Sequence, residues 1–410
     1  MPKKTKKRPT QHSRESLHIR AGRLGPLEPQ SLDISPLTLL IGGQGTGKSL
    51  VAQSLYLFRA LPQLVHIEAT GRILQQRRRQ AARVDLDRIV EKVIDGLRSP
   101  RRRFANLTHP NVTLEWEGVH SIDGLDSQPR TLGFNAQYAT RQVQLRKSLK
   151  ELAEEVTDSR ANELGALFLP SERLLFAMLP DPSIHRAIGL PLLFEAFVRA
   201  VNLLYDAATD QSAEPDVTLA NALGGYVRRT PTTWRWVFAD KYMKRTRTID
   251  LDMASSGQRA AGILEILGPG LTALRTRGAL AEPFTLYLEE PEIHLHPEAE
   301  RLVVEMLATL VRAGFRVVVT THSLTVLYAV NNLLLRTKLR EIDSTDGLYL
   351  EPQEVAAYHL QNGIAKDLLE ENPDFIDESA LGTVADDLQG EMNRIAIRLH
   401  DAGSLDGSTR

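Results

Sequence analysis

The sequence predicts an α/β fold with a mixed central sheet, helical insertions and a small acidic C-terminal extension. Two observations support this prediction. Short apolar runs typical of buried strands alternate with segments that have helical patterns. A glycine-rich loop follows one of these runs, and a pair of carboxylates ends another. With 410 residues, the chain is long enough for one large domain with insertions or for two domains.

Composition indicates an ordinary globular protein, with 42% hydrophobic and 25% charged residues and a formal net charge of -1. Cysteine is absent, which excludes disulfides and thiolate metal sites and fits a reducing compartment. The basic start of the chain is not followed by an apolar stretch, so it does not resemble a secretion signal. No apolar run approaches the roughly 20 residues of a membrane helix. We therefore expect a cytoplasmic protein with no membrane partner.

In the first half of the chain, the sequence predicts a strand at 37–41, a glycine-rich loop and a helix from Lys48 to about residue 61. A half-buried strand is expected at 112–118, with residues 132–138 as its pairing partner. A charged helix at about 145–155 and a buried strand at 166–170 follow.

The second half begins with two or three helices within 184–224. The further predicted strands are 234–240, 247–251, 284–288 and 315–320, and the further predicted helices are 256 to about 267, 298–313 and a last one ending near 335.

These elements suggest three regions. Residues 1–15 are expected to be a basic disordered tail, and 16–340 the main domain. The main domain would contain a helical, basic insertion at about 62–108 and a helical subdomain at about 140–225. Residues 341–410 form the acidic extension, with sixteen acidic and four basic side chains.

The basic insertion leaves several interpretations open. Residues 72–103 carry eleven basic and four acidic side chains. They could form a solvated helical face, a DNA-binding surface, or a docking site for an acidic partner such as the C-terminal extension of a neighbouring subunit. Aromatic residues are not interleaved with these bases, so base stacking is not supported.

The glycine-rich loop matches the phosphate-binding pattern G-x-x-x-x-G-K-[ST] and lies between a strand and a helix, as that motif requires. Its backbone N–H groups would wrap the β-phosphate of ATP, and Lys48 would bridge the β- and γ-phosphates. Ser49 would bind Mg²⁺. The candidate nucleotide-binding residues here are Gly42, Gly43, Gln44, Gly45, Thr46, Gly47, Lys48 and Ser49.

The paired carboxylates end an apolar strand and precede a proline. Glu289 would hold the Mg²⁺ shell, while Glu290 would orient or deprotonate the attacking water. Most phosphate-loop ATPases place aspartate at the first position. Glutamate is one methylene longer, so the metal contact would be made through water.

Two further candidates stand near the ends of other elements. His322 follows the next predicted strand and could contact the γ-phosphate, although an isolated histidine can equally be structural. Ser255, Ser256 and Gly257 open a predicted helix, where hydroxyls and the helix dipole could bind an anion, or where a serine could be a plain N-cap.

Along the chain, the order of these four elements is the glycine-rich loop, the serine-rich helix start, the paired carboxylates and His322. In this order they resemble the ATPase heads of the ABC type. The resemblance implies that Ser255 and Gly257 belong to the signature motif, with Ser256 in place of its first glycine. Glu290 then matches the catalytic glutamate and His322 the switch histidine, while Gln137 is a candidate for the Q-loop glutamine. In that family, the signature of one subunit caps the ATP of another, which implies a head-to-head homodimer or higher homo-oligomer.

The long interval between Lys48 and the signature resembles the SMC, RecF and overcoming-lysogenization-defect (OLD) heads. The run Glu-Glu-Pro-Glu-x-His-Leu-His-Pro is similar to the Walker B region of OLD-like ATPases, and Leu-Pro-Ser-Glu-Arg173 is similar to another recurrent element there. Full OLD proteins carry a Toprim nuclease, and we expect none here, because the adjacent Asp386 and Asp387 have no glycine-rich acidic strand before them.

This resemblance implies a stand-alone ATPase subunit like those of the Septu and PARIS anti-phage systems. Such a subunit would control a separate effector, a nuclease or toxin. The alternative is a RecF- or SMC-like ATPase that binds DNA in repair or maintenance. A third hypothesis is an assembly scaffold that binds ATP and hydrolyses it slowly.

Overall fold

The computed structural model describes residues 15–76, 111–119, 129–137, 142–145, 164–180, 192–210, 217–230, 233–238, 247–342 and 347–377, together with 381, 390–395 and 397. Residues 1–14 of the expected tail, most of the basic stretch at 72–103, and residues 146–155 of the expected charged helix lie outside the described residues. Asp386 and Asp387 lie outside them as well.

The described strands are β1 (Glu15–Ala21), β2 (Gln30–Ile34), β3 (Leu37–Ile41), β4 (Asn111–Val119), β5 (Pro129–Gln137), β6 (Gln142–Leu145), β7 (Leu164–Leu169), β8 (Gly225–Arg229), β9 (Trp234–Phe238), β10 (Thr248–Asp250), β11 (Leu280–Glu289), β12 (Arg316–Thr321), β13 (Val355–Gln361) and β14 (Ile364–Asp367). The helices are α1 (Lys48–Gln76), α2 (Leu192–Asp210), α3 (Val217–Leu223), α4 (Ser256–Thr276), α5 (Pro297–Arg312) and α6 (Leu324–Ile342). A 3₁₀ helix spans Ser171–Ala177.

A six-stranded sheet in the order β14-β13-β3-β12-β11-β7 forms the centre of the molecule. Its strands pair in parallel except for β14, which pairs antiparallel with β13. The predicted mixed α/β sheet is thus confirmed. Every residue of β3 and of β12 is buried, which fits the mostly apolar sequence of β3 and the three consecutive valines of β12.

The register of the central strands brings their carboxyl ends to one edge. Thr321 on β12 pairs with Ile41 on β3, and Thr320 pairs with Glu289 on β11. The residues that follow these three strands therefore emerge side by side. This edge collects the glycine-rich loop, the paired carboxylates and His322, although they are far apart in sequence.

The central sheet separates two apolar cores. On one face, α1 packs together with an antiparallel sheet in the order β2-β1-β4-β5-β6. On the other face lie α2, α4, α5 and α6, with a small antiparallel sheet of β8, β9 and β10. Burial of both faces requires the helices to be amphipathic, as α2 and α5 are.

A buried charged cluster joins the antiparallel sheet to the central one. Glu15 on β1 is fully buried and accepts hydrogen bonds from Trp116 Nε1 at 2.8 Å and Arg316 Nη1 at 2.7 Å. Burial raises the pKa of this carboxyl, but the guanidinium groups of Arg59 and Arg316 outweigh burial and hold the pKa below its usual range. The cluster lies at the start of β12, at the opposite edge from the site.

Three helices are longer than the sequence predicts, and α6, expected to end near 335, ends at Ile342. The other two contain a proline. The helix expected to end near residue 61 continues through Pro62 to Gln76, and the one expected to end near 267 continues through Pro269 to Thr276. Proline and glycine disfavour helix interiors locally. Beyond each proline the helix still buries apolar side chains, Leu64 in α1 and Leu271 and Leu274 in α4. Tertiary packing therefore outweighs the local cost.

Several predicted strands are confirmed with shifted ends. The strand expected at 112–118 is β4, and its expected partner is β5, which pairs with it antiparallel from Pro129 onwards. The expected helix at 145–155 is wrong at its first residue, because Leu145 pairs with Phe134 as the end of β6. Within 140–225 the described residues include β6 and β7 besides α2 and α3, and β7 is an edge of the central sheet.

The start of the acidic region also belongs to the central sheet. β13 pairs in parallel with β3, from Val355 opposite Leu37 to His359 opposite Ile41. Four of the first five residues of β13 are buried apolar side chains. The acidic composition of 341–410 conceals this strand, because the acids stand on either side of a short apolar run.

Candidate functional site

The glycine-rich loop connects β3 to α1 and is packed at both ends but open in its middle. Gly42, Gly45 and Gly47 have φ angles of 147°, 74° and 102°, which residues with side chains rarely adopt. A Cβ at Gly42 would lie 2.5 Å from the carbonyl oxygen of Leu360 on β13. A Cβ at Gly43 or Gly45 would meet nothing within 4 Å. A Cβ at Gly47 would lie 3.0 Å from Leu27 Cγ, so the loop is held by β13 at one end and by Leu27 at the other, and its middle is open.

Lys48 begins α1 and folds back across this loop. Its Nζ donates to the carbonyl oxygens of Gly42 and Gly43, both at 2.7 Å. An ammonium has three N–H donors, so one remains for a further acceptor. Burial lowers the pKa of Lys48, and the carboxylates of Glu290, Glu292 and Glu289 partly offset that effect. Thr46 closes the loop by donating to the Gly43 carbonyl at 2.9 Å.

Glu289 ends β11 and lies beside the start of α1. Its carboxylate accepts from Gln53 Nε2 at 3.4 Å and from the backbone N–H of Ser171 at 3.3 Å. Burial raises the pKa of this carboxyl to about 7, although hydrogen bonds from the Ser49 side chain and the Ser171 backbone lower it. The predicted pair Ser49 and Glu289 is thus brought together, although 239 positions separate them.

Glu290 stands at the turn after β11 with an unusual backbone. Its φ is 44°, which is uncommon for a residue with a side chain. Its N–H donates to the Thr320 carbonyl at 2.9 Å and lies 3.2 Å from Thr320 Oγ1. The Glu290 side chain is partly exposed, and its Oε1 lies 3.6 Å from His322 Nδ1.

His322 lies between two carboxylates. Its Nδ1 is 3.6 Å from an oxygen of Glu290 and 3.6 Å from one of Glu292. Its side chain is 46% exposed, so the ring is accessible from the open side of the site. The structure thus places His322 and Glu290, the two candidate catalytic residues, in contact range.

Glu292 is a member of the site to which the sequence assigns no role. It is 8% exposed, and its Oε1 accepts from Thr321 Oγ1 at 2.7 Å and from the backbone N–H of His322 at 2.9 Å. Its Oε2 is buried without a hydrogen-bond partner. The available sequence signal was a third acid directly after the proline that ends the strand.

Arg173 is a second such residue. It is fully buried in the 3₁₀ helix after β7 and donates to the carbonyl oxygens of Glu289, Glu290 and Pro291 at 2.9, 3.0 and 3.2 Å. The sequence shows Arg173 only as the last residue of a segment similar to a recurrent element of OLD-like ATPases, and gives no reason to place it beside the carboxylates.

The serine-rich helix start is built as an N-cap. The Ser255 hydroxyl accepts from the Gln258 N–H at 3.3 Å, and the Ser255 N–H donates to the Gln258 side chain at 3.0 Å, which forms a capping box. Ser255 is exposed and Ser256 partly exposed. A Cβ at Gly257 would lie 2.9 Å from the His294 carbonyl, so the start of α4 rests against the loop after β11.

The remaining candidates are divided between the site and other places. Gln44 and Gly43 lie on the exposed part of the loop. Gln137 is the last residue of β5, where it pairs with Asn111 and Gln142 in the antiparallel sheet.

Within the described residues, no group of three or more histidine or carboxylate side chains could hold a metal ion by itself. None of the described helices is long and apolar enough to cross a membrane.

Comparisons with known proteins identify one matching region. The family model described as an AAA ATPase domain matches residues 249–327, which contain the serine-rich helix start, the paired carboxylates and His322. A search of curated proteins finds no match.

Among solved structures, an SMC head bound to the C-winged helix domain of ScpA is similar at 13% identity and a TM-score of 0.47, covering 88% of this chain and 99% of that one. The SMC head domain from Thermotoga maritima gives 14% identity and a TM-score of 0.39, covering 86% and 97%. The recombination mediator RecF with ATP gives 11% identity and 0.40, covering 87% and 98%.

Proposed function

We propose that this protein binds ATP with Mg²⁺ and hydrolyses it. One observation carries the proposal: the loop of β3, the carboxylates of β11 and the histidine of β12 meet at one sheet edge. A phosphate loop alone would support binding only. A phosphate loop beside a partly exposed carboxylate, itself beside a histidine, supports hydrolysis.

The residues present fit ATP and Mg²⁺ by their chemistry. The open side of the loop at Gly43 and Gly45 leaves backbone N–H groups accessible, and Lys48 has one N–H beyond those it uses. The Ser49 hydroxyl and the Glu289 carboxylate are hard oxygen ligands, which Mg²⁺ prefers. Bound there, Mg²⁺ would neutralise phosphate charge, and a cation beside Glu289 would favour its ionised form.

The roles of the other residues follow from their exposure and contacts. Glu290 reaches solvent and would orient a water molecule and accept its proton. His322, beside Glu290 and accessible, would contact the γ-phosphate and report its presence. Ser255, Ser256 and Gly257 are held at the exposed start of α4, from which they would reach the nucleotide of a second subunit.

Two variants test hydrolysis. Lys48→Ala should abolish ATP binding, measured with a fluorescent ATP analogue, because it removes the only side-chain cation that crosses the loop among the described residues. Glu290→Gln should keep binding and lower phosphate release by about 100-fold or more, since proton transfer is lost.

Lys338→Ala and Glu305→Gln are matched controls, because each removes one charge, exposed at Lys338 and partly exposed at Glu305, that is paired outside the site. Normal phosphate release by Glu290→Gln would contradict the role of Glu290. No binding of ATP by the wild-type protein would contradict the proposal as a whole.

We further propose that ATP binding assembles a head-to-head homodimer or higher oligomer, which controls a separate nuclease or toxin in anti-phage defence. The resemblance of the Glu-Glu-Pro-Glu-x-His-Leu-His-Pro segment to OLD-like ATPases supports this role. Native mass spectrometry of Glu290→Gln with and without ATP tests the assembly. A monomer under both conditions would exclude it.

The basic stretch at 72–103 favours a second function, ATP-dependent DNA binding of the RecF or SMC kind. Its eleven basic side chains are the observation that supports it. Fluorescence anisotropy with a labelled plain duplex separates the two functions. Binding that needs ATP and weakens steeply with salt would favour DNA maintenance. No binding at low salt would favour control of an effector.

A further inference from the structure

Arg173 holds the backbone on which Glu290 stands. The guanidinium is fully buried and its donors reach the carbonyl oxygens of three successive residues, Glu289, Glu290 and Pro291. Its Nη1 also lies 3.4 Å from the Pro170 carbonyl, which ties the group to its own loop. A planar guanidinium can serve several acceptors in a fixed arrangement, which a lysine ammonium cannot do as rigidly.

The backbone at this point needs such support. A φ of 44° at Glu290 lies in a region that side-chain-bearing residues avoid, and such conformations persist only where the surroundings fix them. Within the turn, the Glu290 carbonyl accepts from the Ile293 N–H at 3.1 Å as well as from Arg173. Buried carbonyls without donors are destabilising, so the arginine, which adds donors to all three carbonyls, favours this conformation.

The turn is held from two sides. On the β12 side, Thr320 accepts from the Glu290 N–H, and Thr321 and His322 donate to the Glu292 carboxylate. On the β7 side, Ser171 N–H reaches the Glu289 carboxylate and Arg173 reaches the carbonyls. Among the described residues, Ser171 and Arg173 contribute the hydrogen bonds that join the segment after β7 to Glu289 and Glu290.

The positive charge of Arg173 also stabilises the turn that carries the carboxylates. Burial lowers the pKa of Arg173 to about 10, and the carboxylates of Glu292, Glu290 and Glu289 partly oppose that effect. The group therefore stays a cation near neutral pH. A fixed cation under three carboxylates reduces their mutual repulsion.

We propose that Arg173 is the positioning residue that sets the direction of the Glu290 side chain, and with Ser171 the place of Glu289. This inference rests on the proposed ATP hydrolysis for its kinetic consequences, but its structural consequence is independent of any activity. Arg173 touches neither the phosphate loop nor the open face, so its loss should affect turnover more than nucleotide binding.

Two variants and a control test the proposal. Arg173→Met removes every donor, and Arg173→Lys keeps the charge with fewer directed donors. Arg275→Met is the control, because Arg275 also donates to turn carbonyls, those of Ala313 and Gly314, but at the opposite end of the sheet. The first measurement is hydrogen exchange by mass spectrometry across peptides covering 286–296, without nucleotide.

We expect faster exchange in 286–296 for Arg173→Met, a smaller increase for Arg173→Lys, and no change there for Arg275→Met. The second measurement is ATP turnover. Arg173→Met should lower kcat by about 100-fold with KM for ATP within about threefold, as a small misplacement of a catalytic group does. Arg173→Lys should lower kcat by about tenfold.

Unchanged exchange in 286–296 in both variants would overturn the proposal. So would exchange that rises equally in β3 and β12, since that would show a general loss of stability. If Arg173→Met does not fold, the same criteria apply to Arg173→Lys. If the wild-type protein releases no phosphate, the proposed hydrolysis fails, and the exchange pattern alone decides the role of Arg173.

Discussion

Glu289 and Lys48 carry opposite charges, and burial disfavours the charged form of both. Burial lowers the pKa of Lys48 and raises that of Glu289 to about 7, so each is driven toward its neutral form. Neighbouring groups only partly offset burial in both cases. Such a site favours binding of a charged ligand, because the ligand supplies the counter-charges for Lys48 and Glu289 that neighbouring protein groups supply only in part.

This predicts a pH-dependent effect of Glu289→Gln on the metal-free protein. The pKa of Glu289 is raised from 4.5 to about 7 on folding, so the folded state opposes ionisation. At pH 8 the variant should have a free energy of unfolding higher by up to about 3 kcal/mol. The difference should shrink as pH falls below about 7 and vanish near pH 4.5.

Urea unfolding in EDTA over this pH range measures the effect. Glu305→Gln, which removes a partly exposed carboxylate that pairs with Arg301 on α5, should give a difference that stays small at every pH. An effect of Glu289→Gln that does not change with pH would show that its pKa is not raised.

At the scale of elements, two glycines of α4 have opposite roles. Gly268 and Gly270 flank Pro269 in the same helix. A Cβ at Gly270 would lie 2.8 Å from the Leu204 carbonyl on α2, whereas one at Gly268 would meet, apart from its own chain neighbours, only Met306 Cγ at 3.9 Å. Gly270 therefore permits the close packing of α2 on α4, and Gly268 has no such role.

Alanine substitution should separate these two roles. Gly270→Ala should destabilise the protein by about 1–3 kcal/mol, because backbone must move. Gly268→Ala should change the stability by less than about 1 kcal/mol, because the helix preference of alanine is opposed by the contact of its Cβ with the ring of Pro269. Thermal unfolding followed by circular dichroism compares the two. Equal effects of the same sign would contradict this account of the α2–α4 contact.

These elements also show what the sequence could and could not predict. β3 has the predicted bounds, because an apolar run between a turn and a glycine-rich loop is a local signal. The ends of α1 and α4 could not be predicted, because packing beyond Pro62 and Pro269 involves distant residues. The sequence assigns no site role to Glu292 and Arg173 for the same reason, because their hydrogen-bond partners His322 and Pro291 lie 30 and 118 positions away.

At the scale of the whole molecule, the boundary between sheet and acidic extension lies later than composition suggests. Within the described residues, Asn331 on α6 exchanges two hydrogen bonds with the Ile376 backbone, at 2.9 and 2.8 Å. The ordered contacts of the central domain thus extend through β14 to this point. The part of the acidic region beyond 377 can be tested separately.

Two truncations place this boundary. A chain ending at residue 377 should fold, with a melting temperature within a few degrees of the full chain, because β13, β14 and the Asn331 contact remain. A chain ending at 353 should be largely insoluble, because it exposes the edge of the buried strand β3. Soluble yield and circular dichroism compare them. A well-folded 353 truncation would show that β13 is dispensable.

The position of β3 has a consequence for synthesis. Its two neighbours in the sheet are β12 and β13, so residues 42–315 must be made before the first neighbour exists and residue 361 before the second is complete. A nascent chain therefore carries the glycine-rich loop long before it carries the strands that shape it. Contacts so distant in sequence form slowly. Nucleotide affinity should accordingly arise only after residue 361 has been synthesised, and a ribosome stalled before that point would display a chain without it.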